Sequence, residues 1–245
     1  ERGIAVVLDA VFNHAFSQSP LCQLYWDAAA FKPRPDNPWL NPDARHPFNV
    51  GYDFNHESQA TRDFTKQVVQ YWIEEFHVDG FRFDLSKGFT QVNTGGDVGA
   101  WSAYDASRIA IWKEYADFIW GVDDECYIIL EHFAVNQEEK ELAEYGQGML
   151  IWGNNNHTFN QASMGYDGSN FADAFHANGS NVWSLPGVMA YMESHDEERL
   201  MYKNIEYGNN NSDYDVRELT TALQRQELVT TFFYAIPGPK MLWQF

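Results

Sequence analysis

The chain has 245 residues, 44% hydrophobic and 16% aromatic, which is enough for one substantial core. Its 35 acidic and 16 basic residues give a formal net charge of −19, which argues against a nucleic-acid partner, because phosphate binding needs basic patches. The two cysteines, Cys22 and Cys126, lie far apart and read as free thiols, and no apolar run approaches membrane-spanning length.

Residues 3–8 form a continuous apolar, β-branched run, the pattern of a strand buried on both faces of a parallel sheet. It ends in Asp9-Ala10-Val11-Phe12-Asn13-His14. Residues 15–60 hold most of the prolines and little periodicity. Their length and their aromatics, Trp26, Trp39 and Tyr52 among them, predict a packed inserted domain or lid rather than a linker. From the N-cap candidate Ser58 onward, Phe64, Val68, Tyr71, Trp72 and Phe76 fall at helical spacing.

The stretch Val78-Asp79-Gly80-Phe81-Arg82-Phe83-Asp84-Leu85-Ser86-Lys87 reads as a short strand ending in opposite charges. Alone, its Arg82 and Asp84 are better explained as a structural ion pair. A Gly-rich loop at 94–96 follows, then a helix over 103–120 with Ile109, Trp112, Ala116 and Ile119 on one stripe. Residues 126–130 predict a buried strand ending in Glu131-His132, and 137–145 a short acidic helix. Residues 148–152 are a further apolar run, and 188–192 a strand ending in Glu193-Ser194-His195-Asp196. A long helix over 216–233 leads to a last apolar run at 240–245.

This alternation is of the α/β class and predicts a right-handed parallel array, either a barrel or a doubly wound sheet. No Gly-x-Gly-x-x-Gly or P-loop supports the latter, and charged strand ends favour a (β/α)8 TIM barrel, whose sites form at the carboxyl ends of its strands. Six strands are visible where eight are needed. The opening lacks an initiator methionine and a signal pattern, and the closing run reads as cut. The expectation is therefore an incomplete barrel from a longer protein, with residues 1–14 and 61–245 as barrel and 15–60 as insert.

In such a barrel Asp9, Asn13, His14, Arg82, Asp84, Lys87, Glu131, His195 and Asp196 share one mouth. Three carboxylates with an arginine and no serine or cysteine nucleophile suit glycoside chemistry, in which one acid attacks the sugar and another protonates the leaving oxygen. Asp9-Ala10-Val11-Phe12-Asn13-His14, Gly80-Phe81-Arg82-Phe83-Asp84, Glu131 at a strand end, and Ser194-His195-Asp196 resemble, in order, the four signature regions of the alpha-amylase family of glycoside hydrolases. That resemblance implies the third to eighth barrel strands, with 15–60 as the family's domain between third strand and third helix. It implies Asp84 as nucleophile beside Arg82, and Glu131, on an apolar strand, as general acid and base. Asp196 with His195 would stabilise the transition state through sugar hydroxyls. His14 would hold the same sugar, Asp9 would orient Arg82, and Lys87 would reach the leaving-group side. The configuration would be retained, with the Asp84 and Glu131 carboxyls roughly 5–5.5 Å apart.

The resemblance also implies a structural calcium held by Asn13, an insert acid and the Gly88 carbonyl. Asn55 stands where that acid is expected, and Asp53 or Asp43 are the substitutes. Gly88 also replaces a histidine common in the family, removing a ring from the leaving-group side. The implied partner is starch or a related α-1,4-glucan, with no organic cofactor, and such a polymer points to a secreted, periplasmic or cell-surface setting. Two other functions fit the same residues: a transglycosylase or cyclomaltodextrinase-type enzyme, and a non-catalytic α-glucan-binding barrel fragment. Trp26, Trp39, Trp101 and Trp152 are better explained as core than as sugar platforms.

Overall fold

The computed structural model describes residues 3–48, 50–177, 182–211 and 213–243. Its principal elements alternate: β1 (Val7–Ala10), α1 (Gln59–Phe76), β2 (Gly80–Phe83), α2 (Ala106–Val122), β3 (Tyr127–Leu130), α3 (Asn136–Ala143), β4 (Leu150–Asn154), α4 (Asn156–Met164), β5 (Val188–Tyr191), α5 (Leu200–Tyr207), α6 (Leu219–Ala235) and β6 (Lys240–Met241). The fold is α/β, an incomplete (β/α)8 barrel with six parallel strands. The chain divides into two compact units, 1–151 and 152–245, within β4.

In the first unit β1, β2, β3 and the start of β4 pair in parallel and in chain order. The register sets Asp9 opposite Arg82 and Arg82 opposite Ile129, so the residues that follow each strand emerge at the same end. β2 is buried along its whole length, with Phe81, Phe83, Phe89 and Trp112 fully enclosed. Gly80 is required by this packing, because a Cβ there would lie 2.6 Å from the Tyr127 side chain. β1 differs from expectation. It is shorter than the apolar run, and Ile4 and Val6 are exposed, because β1 lies at the edge of its sheet and pairs only with β2.

α1 forms over the predicted span but buries another face. Thr61, Thr65, Val69 and Ile73, four apart, point inward, while Tyr71 and Phe76 are exposed and pack with Trp72. Small and β-branched side chains permit close approach to α2, which the aromatic rings would block. Ser58 is the N-cap residue, but its hydroxyl donates to the Pro38 carbonyl, and Asn55 Oδ1 receives the Glu57 and Ser58 N–H groups instead. α2 starts at Asp105, whose carboxylate receives the Ser107 and Arg108 N–H groups, and it buries Ile109, Trp112, Ala116 and Ile119 as predicted.

Within the same unit, segment 15–60 contains two short antiparallel pairs, His14–Ala15 with Tyr52–Asp53 and Trp26–Asp27 with Lys32–Pro33. It has its own core of Cys22, Leu40 and Phe54, against which Trp26, Trp39 and Tyr52 pack. Cys22 and Cys126 are buried free thiols, each pushed up by burial, to about 11 and about 12.

In the second unit β5 and β6 pair in parallel, and Gly153 of β4 lies against Val188 and Ala190 of β5. α4, α5 and α6 pack together around Phe159, Leu200, Asn204, Val229 and Phe233. α4 and α5 are absent from the predicted elements: at nine and eight residues each is too short for helical spacing to stand out. Phe245 and Gln244 of the predicted last strand lie outside the described residues. Among these residues no helix is long and apolar enough to cross a membrane.

Candidate active site

In the first unit the strand ends converge on one guanidinium. Arg82 Nη1 donates to Asp9 Oδ1 at 2.7 Å and to Asp84 Oδ1 at 3.0 Å, and Nη2 lies 2.8 Å from Glu131 Oε2. The three acids differ in exposure: the side chains of Glu131, Asp84 and Asp9 are 6%, 19% and 61% accessible. Burial alone would weaken the Arg82 charge, but the carboxylates of Glu131, Asp9 and Asp84 outweigh it and raise its pKa. The arginine is thus a fixed cation between two acids on adjacent strands.

Backbone geometry holds the two acids. The Asp84 N–H donates to the Ala10 carbonyl at 3.0 Å, which ties the end of β2 to β1. Leu85 then adopts a left-handed conformation (φ 45°), and its N–H donates to Glu131 Oε2 at 2.9 Å. A non-glycine residue there is strained and persists only where its surroundings demand it. Behind Glu131, its carbonyl accepts from both Ser86 N–H (3.0 Å) and Ser86 Oγ (2.8 Å). Ser86 Oγ also contacts His132 Nδ1 at 2.9 Å, and His132 Nε2 contacts Glu138 Oε1 at 2.7 Å. Arg108 clasps Glu138 through two bonds of 2.6 and 2.8 Å. Burial opposes the Glu138 charge, yet His132 and Arg108 hold its pKa down at about 2. This buried network carries the turn on which Glu131 sits.

The substrate-side residues fare differently. His14 pairs in register with Asp53, stands edge-on to Phe16 at 5.6 Å, and has its pKa lowered by burial against the opposing charge of Asp84. Lys87, expected on the leaving-group side, is buried at 5% exposure. Its Nζ donates to Ser102 Oγ (2.9 Å) and to the Phe133 carbonyl (2.8 Å), and lies 4.0 Å from the Trp101 ring centroid. Burial lowers its pKa to about 8. In this structure Lys87 braces two loops against a tryptophan. Trp101 and Trp152 are buried, in agreement with a packing role.

In the second unit His195 and Asp196 follow β5 in an exposed loop, with His195 Nε2 3.4 Å from Asp196 Oδ1 and its ring 6.1 Å from Trp152. Glu197 shapes this loop: it accepts from the Ser194 N–H at 3.0 Å and from the Ser194 hydroxyl. Arg199 donates to the Ser194 carbonyl at 2.6 Å.

The implied calcium ligands divide. Asn55 Oδ1 accepts from the Glu57 and Ser58 N–H groups at 3.0 and 3.2 Å, so this residue closes the turn that precedes α1. Asp43 is bound by Lys32 Nζ through both oxygens at the surface. Asp53 instead approaches the Asn13 side: Asn13 Oδ1, Asp53 Oδ1 and His46 Nε2 are all buried without a hydrogen-bond partner. Gly88 lies against them, since a Cβ there would come within 1.7 Å of Asn13 Oδ1 and 2.9 Å of His46 Nε2. Calcium takes six to eight oxygens. Here one amide oxygen, one carboxylate oxygen and one imidazole nitrogen are offered, and Asp53 Oδ2 already accepts from Asn41 Nδ2 at 2.7 Å. Asn13 Oδ1 and Asp53 Oδ1 are oxygens of the kind calcium takes, and His46 Nε2 is not.

Sequence reasoning missed His46, His56, Arg108, His132 and Glu138. His56 is fully enclosed between the Phe12 carbonyl (2.8 Å) and Tyr115 Oη (2.7 Å), and burial lowers its pKa to about 3. It fastens the Asp9–His14 loop to α2. The one usable signal was His132 directly following Glu131; the others gain meaning only from contacts across 30 or more positions of chain.

A family model described as "Alpha amylase, catalytic domain" matches residues 1–238. The chain is 35% identical over 88 residues to a pullulanase of Bacillus subtilis (strain 168), covering 35% of this chain and 11% of that protein. It is 25% identical over 165 residues to alpha-amylase 3 of Dictyoglomus thermophilum, covering 61% of this chain and 30% of that protein. The crystal structure of pullulanase type I from Bacillus subtilis, complexed with maltose, superposes with a TM-score of 0.64 at 19% identity, over 98% of this chain and 33% of that one. The matches thus span less than a third of the curated relatives.

Proposed function

Because the chain belongs to the alpha-amylase family, whose catalytic-domain model matches residues 1–238, we propose that it carries the machinery of a retaining glycoside hydrolase acting on α-1,4-linked glucans. One observation supports this above the rest. The Asp84 and Glu131 carboxylates stand at adjacent parallel strand ends, joined through the Arg82 guanidinium at 3.0 and 2.8 Å. Two acids so placed can act from opposite sides of one glycosidic bond. Asp84 attacks the anomeric carbon as Glu131 delivers its proton to the departing oxygen. Glu131 then takes a proton from water, which displaces Asp84, so the configuration is inverted twice and retained. Arg82 supplies a permanent positive charge that orients both acids, and Asp9 orients Arg82. His14 is assigned to the same sugar. The roles of His195 and Asp196 rest on the motif alone.

A debranching reading shares this chemistry, and the pullulanase likeness favours it. The test uses the intact protein: Asp84→Asn is expected to lose essentially all starch hydrolysis while keeping its far-UV spectrum. Retained hydrolysis would remove Asp84 as nucleophile. Chromatography of products from linear maltooligosaccharides and from pullulan assigns the linkage, and longer products would point to glycosyl transfer instead. The polymeric substrate supports an extracellular or cell-surface setting.

A further inference from the structure

We propose that Glu139 is a positioning residue for Glu131: its carboxyl group and the Lys87 ammonium grip the Phe133–Ala134 peptide from opposite ends and hold the loop that carries the acid. This role presupposes the acid function proposed for Glu131. The loop, 131–135, runs from the end of β3 to the start of α3. Phe133 in its middle is left-handed (φ 53°) and 37% exposed. A residue with a Cβ holds that conformation only where its surroundings demand it. Glu138 fixes the preceding residue, His132, and the demand on Phe133 itself comes from Lys87 and Glu139.

Lys87 Nζ donates to the Phe133 carbonyl at 2.8 Å, and the Ala134 N–H donates to Glu139 Oε1 at 3.0 Å. These are the two ends of one peptide group. Its dipole is negative at the oxygen and positive at the N–H, so both contacts are favourable. The Phe133 N–H faces the same carboxyl group, as successive N–H groups beside a left-handed residue do. Val135 completes the loop by donating to the Ser102 carbonyl at 3.0 Å.

Both gripping groups are themselves anchored. Lys87 Nζ also donates to Ser102 Oγ at 2.9 Å and lies 4.0 Å from the Trp101 ring centroid. Glu139 belongs to the first turn of α3, and its own N–H donates to the Val135 carbonyl at 3.3 Å. Burial pushes its carboxyl group up to about 8; the Glu138 charge adds to this, while the Ala134 N–H and Lys87 oppose it. Near neutrality the group is therefore mostly protonated, and its carbonyl oxygen serves as the acceptor for Ala134. The gripped peptide follows closely on Glu131, and a shift of about 1 Å at a reacting group can cost about 100-fold in rate. Fixing that peptide fixes the acid against Arg82 and the Leu85 N–H.

The test uses the intact protein. Glu139→Ala is expected to lower kcat on maltooligosaccharides by roughly 10–100-fold while KM stays within about threefold. Glu139→Gln keeps the size and the accepting oxygen of the protonated acid, and should return kcat to within about threefold of the unmodified protein. Amide hydrogen exchange supplies a readout that needs no turnover: the Ala134 amide should exchange at least about tenfold faster in Glu139→Ala, with the amides of β2 unchanged. Should Glu139→Ala fail to fold, Glu139→Met, which fills the space without an acceptor, takes its place in both measurements. A lowered Tm with unchanged kcat, a rise in KM in place of the fall in kcat, a loss in Glu139→Gln equal to that in Glu139→Ala, or unchanged exchange at Ala134 would each overturn the proposal. Hydrolysis that survives Glu131→Gln would overturn the acid function of Glu131, and with it any catalytic role for Glu139, whereas faster exchange at Ala134 would still register the grip.

Discussion

Replacing Arg82 by methionine tests the centre of the site, since the chain keeps its length and loses its charge. The substitution leaves Glu131 and Asp84, with side chains 6% and 19% accessible, facing each other without their shared cation. Removing one partner of a buried ion pair costs about 3–5 kcal/mol. The Asp9 contact adds little, because that carboxylate is 61% accessible and screened by water. A loss of about 4 kcal/mol corresponds to a fall in Tm of roughly 8–16 °C in a chain of this size. Differential scanning calorimetry of both proteins near pH 7 measures it. A deficit below about 3 °C would refute the view that Arg82 compensates buried carboxylates.

Glu138, held at about 2 from an ordinary 4.5, contributes stability that is present above pH 4.5 and lost as pH falls through about 2. That shift corresponds to about 3 kcal/mol, so acid denaturation of Glu138→Gln should lack this component, and a parallel acid profile would count against it. Gly88→Ala should destabilise by about 1–3 kcal/mol in urea, because its Cβ meets Asn13 Oδ1, and an unchanged midpoint would show that the loop yields. Lys87→Met should lower Tm yet leave KM for maltooligosaccharides within about threefold; a larger rise in KM would return Lys87 to the leaving-group side.

Much of the fold was legible. β2, β3 and β5 appear within two residues of the apolar runs that predict them, and α1 spans its predicted range. The buried stripe of α2 is the one its spacing predicts. α1 shows the limit: helical spacing of aromatics was present, but the face turned inward carries threonine, because close packing favours small side chains over the largest apolar ones. α4 and α5 went unseen because nine and eight residues make little more than two turns, too few for a helical period to show.

Asp9, Arg82, Asp84 and Glu131 were recognisable as a group from the sequence, since each follows or ends an apolar strand and parallel strands deliver their ends together. That is a short-range pattern repeated in order, and local periodicity records it. What the tertiary structure decided is which atoms meet. Asn55 closes the turn before α1 while Asp53 joins Asn13 and His46, Lys87 is buried against Trp101, and Arg108, His132 and Glu138 support the Glu131 turn. These outcomes depend on packing and on which buried polar groups find partners. Neither quantity is carried by any local window of sequence.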